Sequence, residues 1–129
     1  MDGVLPLRCV DDTMKGTALG EWCSMLIEGA AKLGKDWTCT SKFQQWMIDA
    51  GFVDVHLEPF SWPTNSWAKS PDRKILGKWF EQDLLDGVSA MSMATLTRGL
   101  RMSPEEVELL LVEVRNDIKD RRIHAFFPM

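Results

Sequence analysis

Three side chains in this sequence combine chemical reactivity with a setting that acid–base catalysis can use. His56 stands between Asp54 and Glu58 in an alternating stretch, so its imidazole is a candidate general base. Glu81 follows an aromatic pair on a predicted helix and could supply a carboxylate at the edge of a cavity. Arg98 is nearly alone in an apolar stretch, where a guanidinium could hold an anionic or enolate oxygen. The alternative for all three is an ordinary solvated surface residue.

Large apolar side chains are unusually frequent, with 6 Trp, 6 Phe and 8 Met but no Tyr. Some of them could line a cavity for a hydrophobic small molecule, because aromatic side chains dominate such sites. The candidates for binding a substrate, as implied by the family resemblance described below, are Trp62, Trp67, Trp79, Phe80 and Met91. Ordinary packing in a core or a dimer interface is the alternative.

A second polar group stands near the N-terminus, where Arg8, Asp11 and Asp12 surround Cys9. Neighbouring carboxylates can share a proton, but capping of a loop is the competing interpretation. For His124, a catalytic role and a structural role are both open. The 3 cysteines are widely spaced and show no zinc-ligand pattern, so we expect free thiols and no metal.

Composition excludes several classes of protein. The formal charge of -4 argues against nucleic acid as a partner, because phosphate binding needs a basic surface. No apolar run is long enough to span a membrane, and Met1–Pro6 lacks the basic start of a secretory signal. These observations predict a cytoplasmic protein. Its 129 residues suit a single domain, 1–129.

Hydrophobic periodicity predicts four helices. They cover Thr17 to Leu33, Ser41 to Ala50, Ser70 to about Gly99, and a last helix that begins at Ser103. Phe52 to Glu58 alternates between apolar and polar residues, which predicts a half-buried strand. The predicted fold class is therefore α+β and mostly helical, with one or two short strands.

The second half of the third helix, Val88 to Leu100, has few charges and is apolar on several sides. A helix of this kind is expected to be buried on several sides. In so short a chain this predicts a partner subunit, and we expect a homodimer.

Several segments resemble known proteins as a set. Trp46 to Val55 is similar to the helix, Ala-Gly-Phe and strand near the C-terminal end of class I methyltransferases that use S-adenosylmethionine. Ser103 to Glu108, Glu113 to Asp117 and Ile123 to Pro128 resemble a narrower group, the methyltransferase-like proteins of fungal secondary metabolism. The resemblance extends from about residue 5 to residue 128.

The same resemblance shows what the chain lacks. The sequence contains no Gly-x-Gly-x-x-Gly loop after a strand, which such enzymes use to hold their cofactor. The chain therefore resembles the C-terminal part of such a protein without the cofactor-binding half, and we expect no cofactor.

Two functions follow from the resemblance. The first is a cofactor-independent cyclase or isomerase that acts on a hydrophobic biosynthetic intermediate in an aromatic-lined pocket. The second is a non-catalytic assembly module, either homodimeric or completing an S-adenosylmethionine-dependent methyltransferase in trans.

Overall fold

The computed structural model describes residues 5–129, which form four helices and three short strands. In chain order these are β1 (Arg8–Cys9), α1 (Ala18–Lys32), α2 (Phe43–Asp49), β2 (Ser61–Pro63), α3 (Pro71–Ala94), α4 (Pro104–Lys119) and β3 (Ala125–Pro128). The expectation of a mostly helical α+β fold is confirmed. The N-terminal segment considered for a secretory signal begins outside the described residues.

Helix starts follow the capping residues in the sequence. The hydroxyl of Thr17 accepts a hydrogen bond from the backbone N–H of Gly20 at the start of α1. At the start of α4, Ser103 and Glu106 each accept a hydrogen bond from the other's backbone N–H, at 3.1 Å and 2.7 Å. This capping box satisfies backbone donors that an uncapped helix leaves unpaired.

The predicted strand at Phe52 to Glu58 is wrong, because this segment is irregular. Val53, expected on the buried face, is 84% exposed. A strand exists only when a neighbouring strand takes its hydrogen bonds, and none lies beside this segment within residues 5–129. Alternation in the sequence therefore identified a surface that the described chain leaves uncovered.

The small sheet uses the C-terminal segment as its centre. β3 pairs antiparallel with β1 on one side and with β2 on the other. β3 lies within Ile123 to Pro128, and β2 lies in the segment between α2 and α3. Three-residue strands are too short to show a period in the sequence.

The core lies between α1, α3 and α4. Trp22 of α1 is buried, and its indole N–H donates to the hydroxyl of Ser92 on α3 at 2.7 Å. Gly99, in the π turn Thr95–Gly99 that ends α3, lies against the backbone of Gly29 on α1 so closely that a Cβ at Gly99 would collide with it. Two glycines thus bring the end of α3 against α1.

Packing within the chain accounts for the apolar half of α3. Val88 and Leu96 are fully buried against the other helices of the same chain. The apolar surplus that motivated the homodimer is therefore covered without a second subunit. The outer side of α2 and the segment after it are not covered.

Candidate functional site

The aromatic residues expected to line one pocket are divided among different parts of the fold. Trp62 packs edge-to-face on Phe80, with ring centroids 5.6 Å apart, and Phe80 packs on Phe127 at 5.7 Å. Phe80 is only 8% exposed. These rings join the sheet to α3 and serve as core.

The other three predicted substrate-binding residues lie elsewhere. The indole N–H of Trp67 donates to the carbonyl of Ala125 at 2.7 Å. Trp79 is 75% exposed on α3, and Met91 lines a cleft of about 630 Å³. The structure therefore does not bring Trp67, Trp79 and Met91 together with the Trp62–Phe80 pair.

The three predicted catalytic residues are also separate. Glu81 is half-buried on α3, and Arg98 is exposed in the π turn. The 13 residues from Glu81 to the end of α3 at Ala94 span about 20 Å at 1.5 Å per residue. His56 is exposed in the irregular segment that replaces the predicted strand. A small substrate cannot contact Glu81 and Arg98 at once.

A different set of polar residues does converge, where β1 meets β3. The Nδ1 atom of His124 lies 2.7 Å from Oδ2 of Asp11. The other carboxylate oxygen of Asp11 accepts hydrogen bonds from the hydroxyl and the backbone N–H of Thr13, at 2.5 Å and 3.1 Å. The Cys9 thiol lies 3.4 Å from that same oxygen. We call Cys9, Asp11, Thr13 and His124 the Asp–His cluster.

Hydrogen bonds from Thr13 and His124 keep the pKa of Asp11 well below its usual range, so this carboxyl is ionised at neutral pH. Asp11 and Cys9 also line a cleft of about 710 Å³. His124 itself is not among the residues that line this cleft, so the cluster meets the cleft through Asp11 and Cys9. A carboxylate that orients an imidazole is an arrangement used in general base catalysis. Sequence reasoning singled out Asp11 but not its pairing with His124, because 113 residues separate the two.

An exposed apolar surface lies on α2 and the segment that follows it. Val53 and Phe52 are 84% and 60% exposed, and no residue of α2 is buried. The whole surface consists of Trp46, Met47, Ile48, Phe52, Val53, Leu57 and Phe60. We call this set the apolar surface. Several exposed large apolar side chains in one part of the chain are typical of an interaction site.

Beside the apolar surface is a cavity of about 490 Å³. Its walls come from β1, the turn before α2, the segment before β2 and the end of β3. The lining residues are Arg8, Thr40, Ser41, Phe43, Leu57, Glu58, Pro59, Phe60, Pro128 and Met129. We call it the Arg8 cavity. Sequence reasoning placed only Arg8 of these residues among its candidates.

The described residues do not form a cradle for S-adenosylmethionine. Class I methyltransferases hold this cofactor where a glycine-rich turn joins a parallel strand to a helix. All strand pairs within residues 5–129 are antiparallel, and no such turn follows any of the strands. The glycine-rich turn that holds the cofactor in class I methyltransferases is thus absent from residues 5–129.

The part of the chain that the structure describes also contains no group of three His, Cys, Asp or Glu side chains suited to a metal ion. None of its helices combines the length and the apolar character needed to cross a membrane. Burial raises the pKa of the Cys23 thiol to about 11, so this thiol is unreactive at neutral pH.

Comparison with known proteins gives one consistent result. The chain is 28% identical over 125 residues to a probable methyltransferase, tdiE, of Emericella nidulans, covering 96% of this chain and 39% of tdiE. It is homologous to part of the methyltransferase-like proteins of fungal secondary metabolism. The homology predicted from the sequence motifs is thereby confirmed.

Two further relatives also match most of this chain and about a third of their own length. The methyltransferase pytC of Aspergillus terreus is 31% identical over 79% of this chain and 32% of its own length. The secondary metabolism regulator LAE1 of Cochliobolus heterostrophus is 28% identical over 92% of this chain and 39% of its own length. The chain thus spans about a third of the length of these relatives. No model of a protein family and no solved structure matches it.

Proposed function

We propose that this chain acts in fungal secondary metabolism as the substrate-side part of a methyltransferase, completed in trans by a partner that carries the cofactor-binding sheet. Of the relatives above, one is named a methyltransferase and one a probable methyltransferase, and both are about two and a half times as long as this chain. The described residues include no glycine-rich turn of the kind that holds the methyl donor, so we assign the methyl donor to a partner.

The observation that carries this proposal is the apolar surface. Trp46, Met47 and Phe52 line one shallow groove of about 340 Å³ together with Phe43 and Ala50. Leaving several large apolar side chains in water costs about 1.5–3 kcal/mol for each one that a partner could bury. The surface therefore favours association with another protein.

The conformation of the segment after α2 indicates which kind of partner. Phe52 to Glu58 has the alternation of a strand but no strand beside it among the described residues. Such a segment can add to the edge of another sheet, which then takes its backbone hydrogen bonds. A methyltransferase sheet offers that edge, and this is why we favour it over a second copy of this chain.

Affinity purification tests the proposal. The tagged chain is isolated from a cytoplasmic extract of the cells that make it, and each co-purifying protein is identified by mass spectrometry. We expect a partner that binds S-adenosylmethionine, whereas the chain alone shows no heat with this cofactor in calorimetry.

Two valine variants provide the matched comparison. Val53→Asp places a charge on the apolar surface and should abolish recovery of the partner. Val112→Asp makes the same change at an exposed valine of α4, outside the apolar surface, and should leave recovery unchanged. Isolation of a homodimer that Val53→Asp dissociates, with no cofactor-binding partner, would refute the proposal.

A cofactor-independent cyclase or isomerase is the second candidate, and the Asp–His cluster beside the 710 Å³ cleft favours it. Acid–base chemistry of this kind needs a positioned base and a confined substrate, but no cofactor. The proposed base is His124, oriented by Asp11. Arg98, Glu81 and His56 remain proposed contributors from other parts of the surface.

The test is incubation of the pathway intermediate with the purified chain. Product formation should fall at least tenfold in His124→Gln if the cluster is catalytic. Arg98→Ala, Glu81→Gln and His56→Gln are measured in parallel. A rate equal to that without protein would remove the catalytic candidate and leave the assembly role untouched.

A further inference from the structure

The Arg8 cavity has the size and the composition of a small-molecule site. Its volume of about 490 Å³ lies within the range of about 300–1,000 Å³ typical of such sites. Apolar side chains supply most of the wall, including Phe43, Leu57 and Phe60. The cavity is therefore suited to an apolar ring system.

The wall around Phe60 is held in place by backbone hydrogen bonds. Phe60 and Met129 exchange two N–H to carbonyl bonds, each 2.9 Å long, which continue the pairing of β2 with β3. Gln44 of α2 donates to the carbonyl of Val55 at 3.4 Å and ties the preceding segment to the helix. The cavity is thus formed before any ligand enters.

The Thr40 hydroxyl indicates one hydrogen-bonding group that the ligand should carry. Its hydroxyl oxygen is buried and has no hydrogen-bond partner within residues 5–129. A buried hydroxyl without a partner costs about 1–3 kcal/mol, so a group from outside the chain is expected to pair with it. Thr40 lines both the Arg8 cavity and the cleft that contains Met91.

Charged side chains distinguish the Arg8 cavity from the cleft that contains Met91. The Arg8 cavity also presents Arg8 and Glu58, and neither forms a salt bridge with any residue from 5 to 129. A guanidinium at the mouth of an apolar cavity binds an anionic oxygen with paired N–H groups, and a carboxylate accepts an O–H or N–H. Only the Arg8 cavity combines these charges with the Thr40 hydroxyl.

We propose that the Arg8 cavity binds a flat, apolar small molecule that carries an acidic oxygen next to a hydroxyl or N–H group. Arg8 holds the acidic oxygen and Glu58 accepts the neighbouring hydrogen. The Thr40 hydroxyl is buried in the observed conformation, and it donates to an oxygen of the ring system once its side chain turns toward the cavity. This assignment deepens the proposed function, on which it rests for identifying the ligand as the substrate. The cavity adjoins the apolar surface, since Leu57 and Phe60 belong to both.

The test uses 3-hydroxy-2-naphthoic acid as a probe, titrated into the full chain and followed by calorimetry and by NMR. We expect saturable binding that weakens about tenfold in Arg8→Met, because the substitution removes a charge-assisted hydrogen bond and keeps the aliphatic stem. Thr40→Val should weaken binding by at least threefold. The methyl ester of the probe lacks the anionic oxygen and should bind wild type and Arg8→Met equally.

Two control variants separate binding from folding. Arg121→Met removes an exposed arginine that does not line the cavity. Thr97→Val removes a hydroxyl that donates to the carbonyl of Met93 within the α3 turn. Both controls should bind the acid as wild type does, and thermal melting confirms that every variant is folded.

Two results would overturn the assignment. One is the absence of saturable binding at millimolar probe, and the other is binding that Arg8→Met and Thr40→Val leave unchanged. Because the titration uses this chain alone, its failure does not affect recovery of a cofactor-binding partner. Loss of the partner likewise leaves the binding result intact, so the two proposals fail separately.

Discussion

α1 and α2 carry the same kind of apolar stripe, yet they differ in what covers it. α1 buries six residues, among them Leu19, Trp22 and Leu26, against α4 and the end of α3. α2 buries none and packs on the turn that precedes it. An amphipathic pattern thus identifies which face of a helix avoids water, but not whether the same chain provides the cover.

The largest expected effect comes from the close approach of α3 to α1. Gly99→Ala would push a methyl group into the backbone of Gly29 and should lower the free energy of unfolding by about 3 kcal/mol. Gly87→Ala makes the same change on α3, where a Cβ meets nothing within 4 Å. It should stabilise the helix by about 0.5–1 kcal/mol. Urea unfolding of both variants would show opposite signs, and equal effects would contradict the close approach.

Substitution of one tryptophan in each helix compares the packing of α1 and α2 directly. Trp22→Phe removes the hydrogen bond to Ser92 inside the core and should cost about 2 kcal/mol. Trp46→Phe on the exposed face of α2 should change stability by less than about 0.5 kcal/mol. Chemical denaturation measures both. A large loss in Trp46→Phe would mean that α2 is covered within the isolated chain.

Ser70 and Ser103 each precede a proline that begins a helix. A smaller difference in stability is expected between their alanine variants. Ser103 caps α4 through its side chain, so Ser103→Ala should cost about 1 kcal/mol. Ser70 makes no side-chain hydrogen bond at the start of α3, and Ser70→Ala should change stability by less than about 0.5 kcal/mol. Thermal unfolding of the two variants checks the difference. A greater loss at Ser70 would show that the sequence pattern, rather than the observed bond, decides the cap.

The smallest expected difference in stability is between substitutions in two Asp-x-Thr turns. Asp11 accepts hydrogen bonds from Thr13 and also binds His124 across the fold, whereas Asp36 binds Thr38 and Lys42 within its own turn. Asp11→Asn should therefore destabilise the protein more than Asp36→Asn at neutral pH.

The contribution of the Asp11 carboxylate to stability is expected to decrease in acid. The pKa of Asp11 is lowered in the folded state, first by the Thr13 hydroxyl and then by His124, so its carboxylate stabilises the fold at neutral pH. That contribution is lost as the pH falls from about 4 toward the lower folded pKa. The stability gap between wild type and Asp11→Asn should narrow in acid, and a gap that widens there would contradict the pairing.

The candidate site was less predictable than the helices. Asp11 drew attention because carboxylates cluster near Cys9, but His124 joins it only through the pairing of β1 with β3. Thr40 and Glu58 gave no signal at all, because a buried hydroxyl without a partner and a cavity wall are properties of packing. Glu81 and Arg98, two of the predicted catalytic residues, lie far apart along α3 and the π turn that ends it.

The sequence by itself determined the helices, because hydrophobic spacing acts over a few positions. It also located the capping residues Thr17 and Ser103, whereas Ser70 makes no side-chain cap. The homology to fungal methyltransferase-like proteins followed from the resemblance of several motifs. The sequence also predicted a half-buried strand at Phe52 to Glu58, which does not form among the described residues. Only the tertiary structure decided that this segment is exposed within residues 5–129, that the apolar half of α3 packs inside the chain, and that Arg8, Thr40 and Glu58 line one cavity. These outcomes depend on contacts between residues far apart in sequence, which no local pattern encodes.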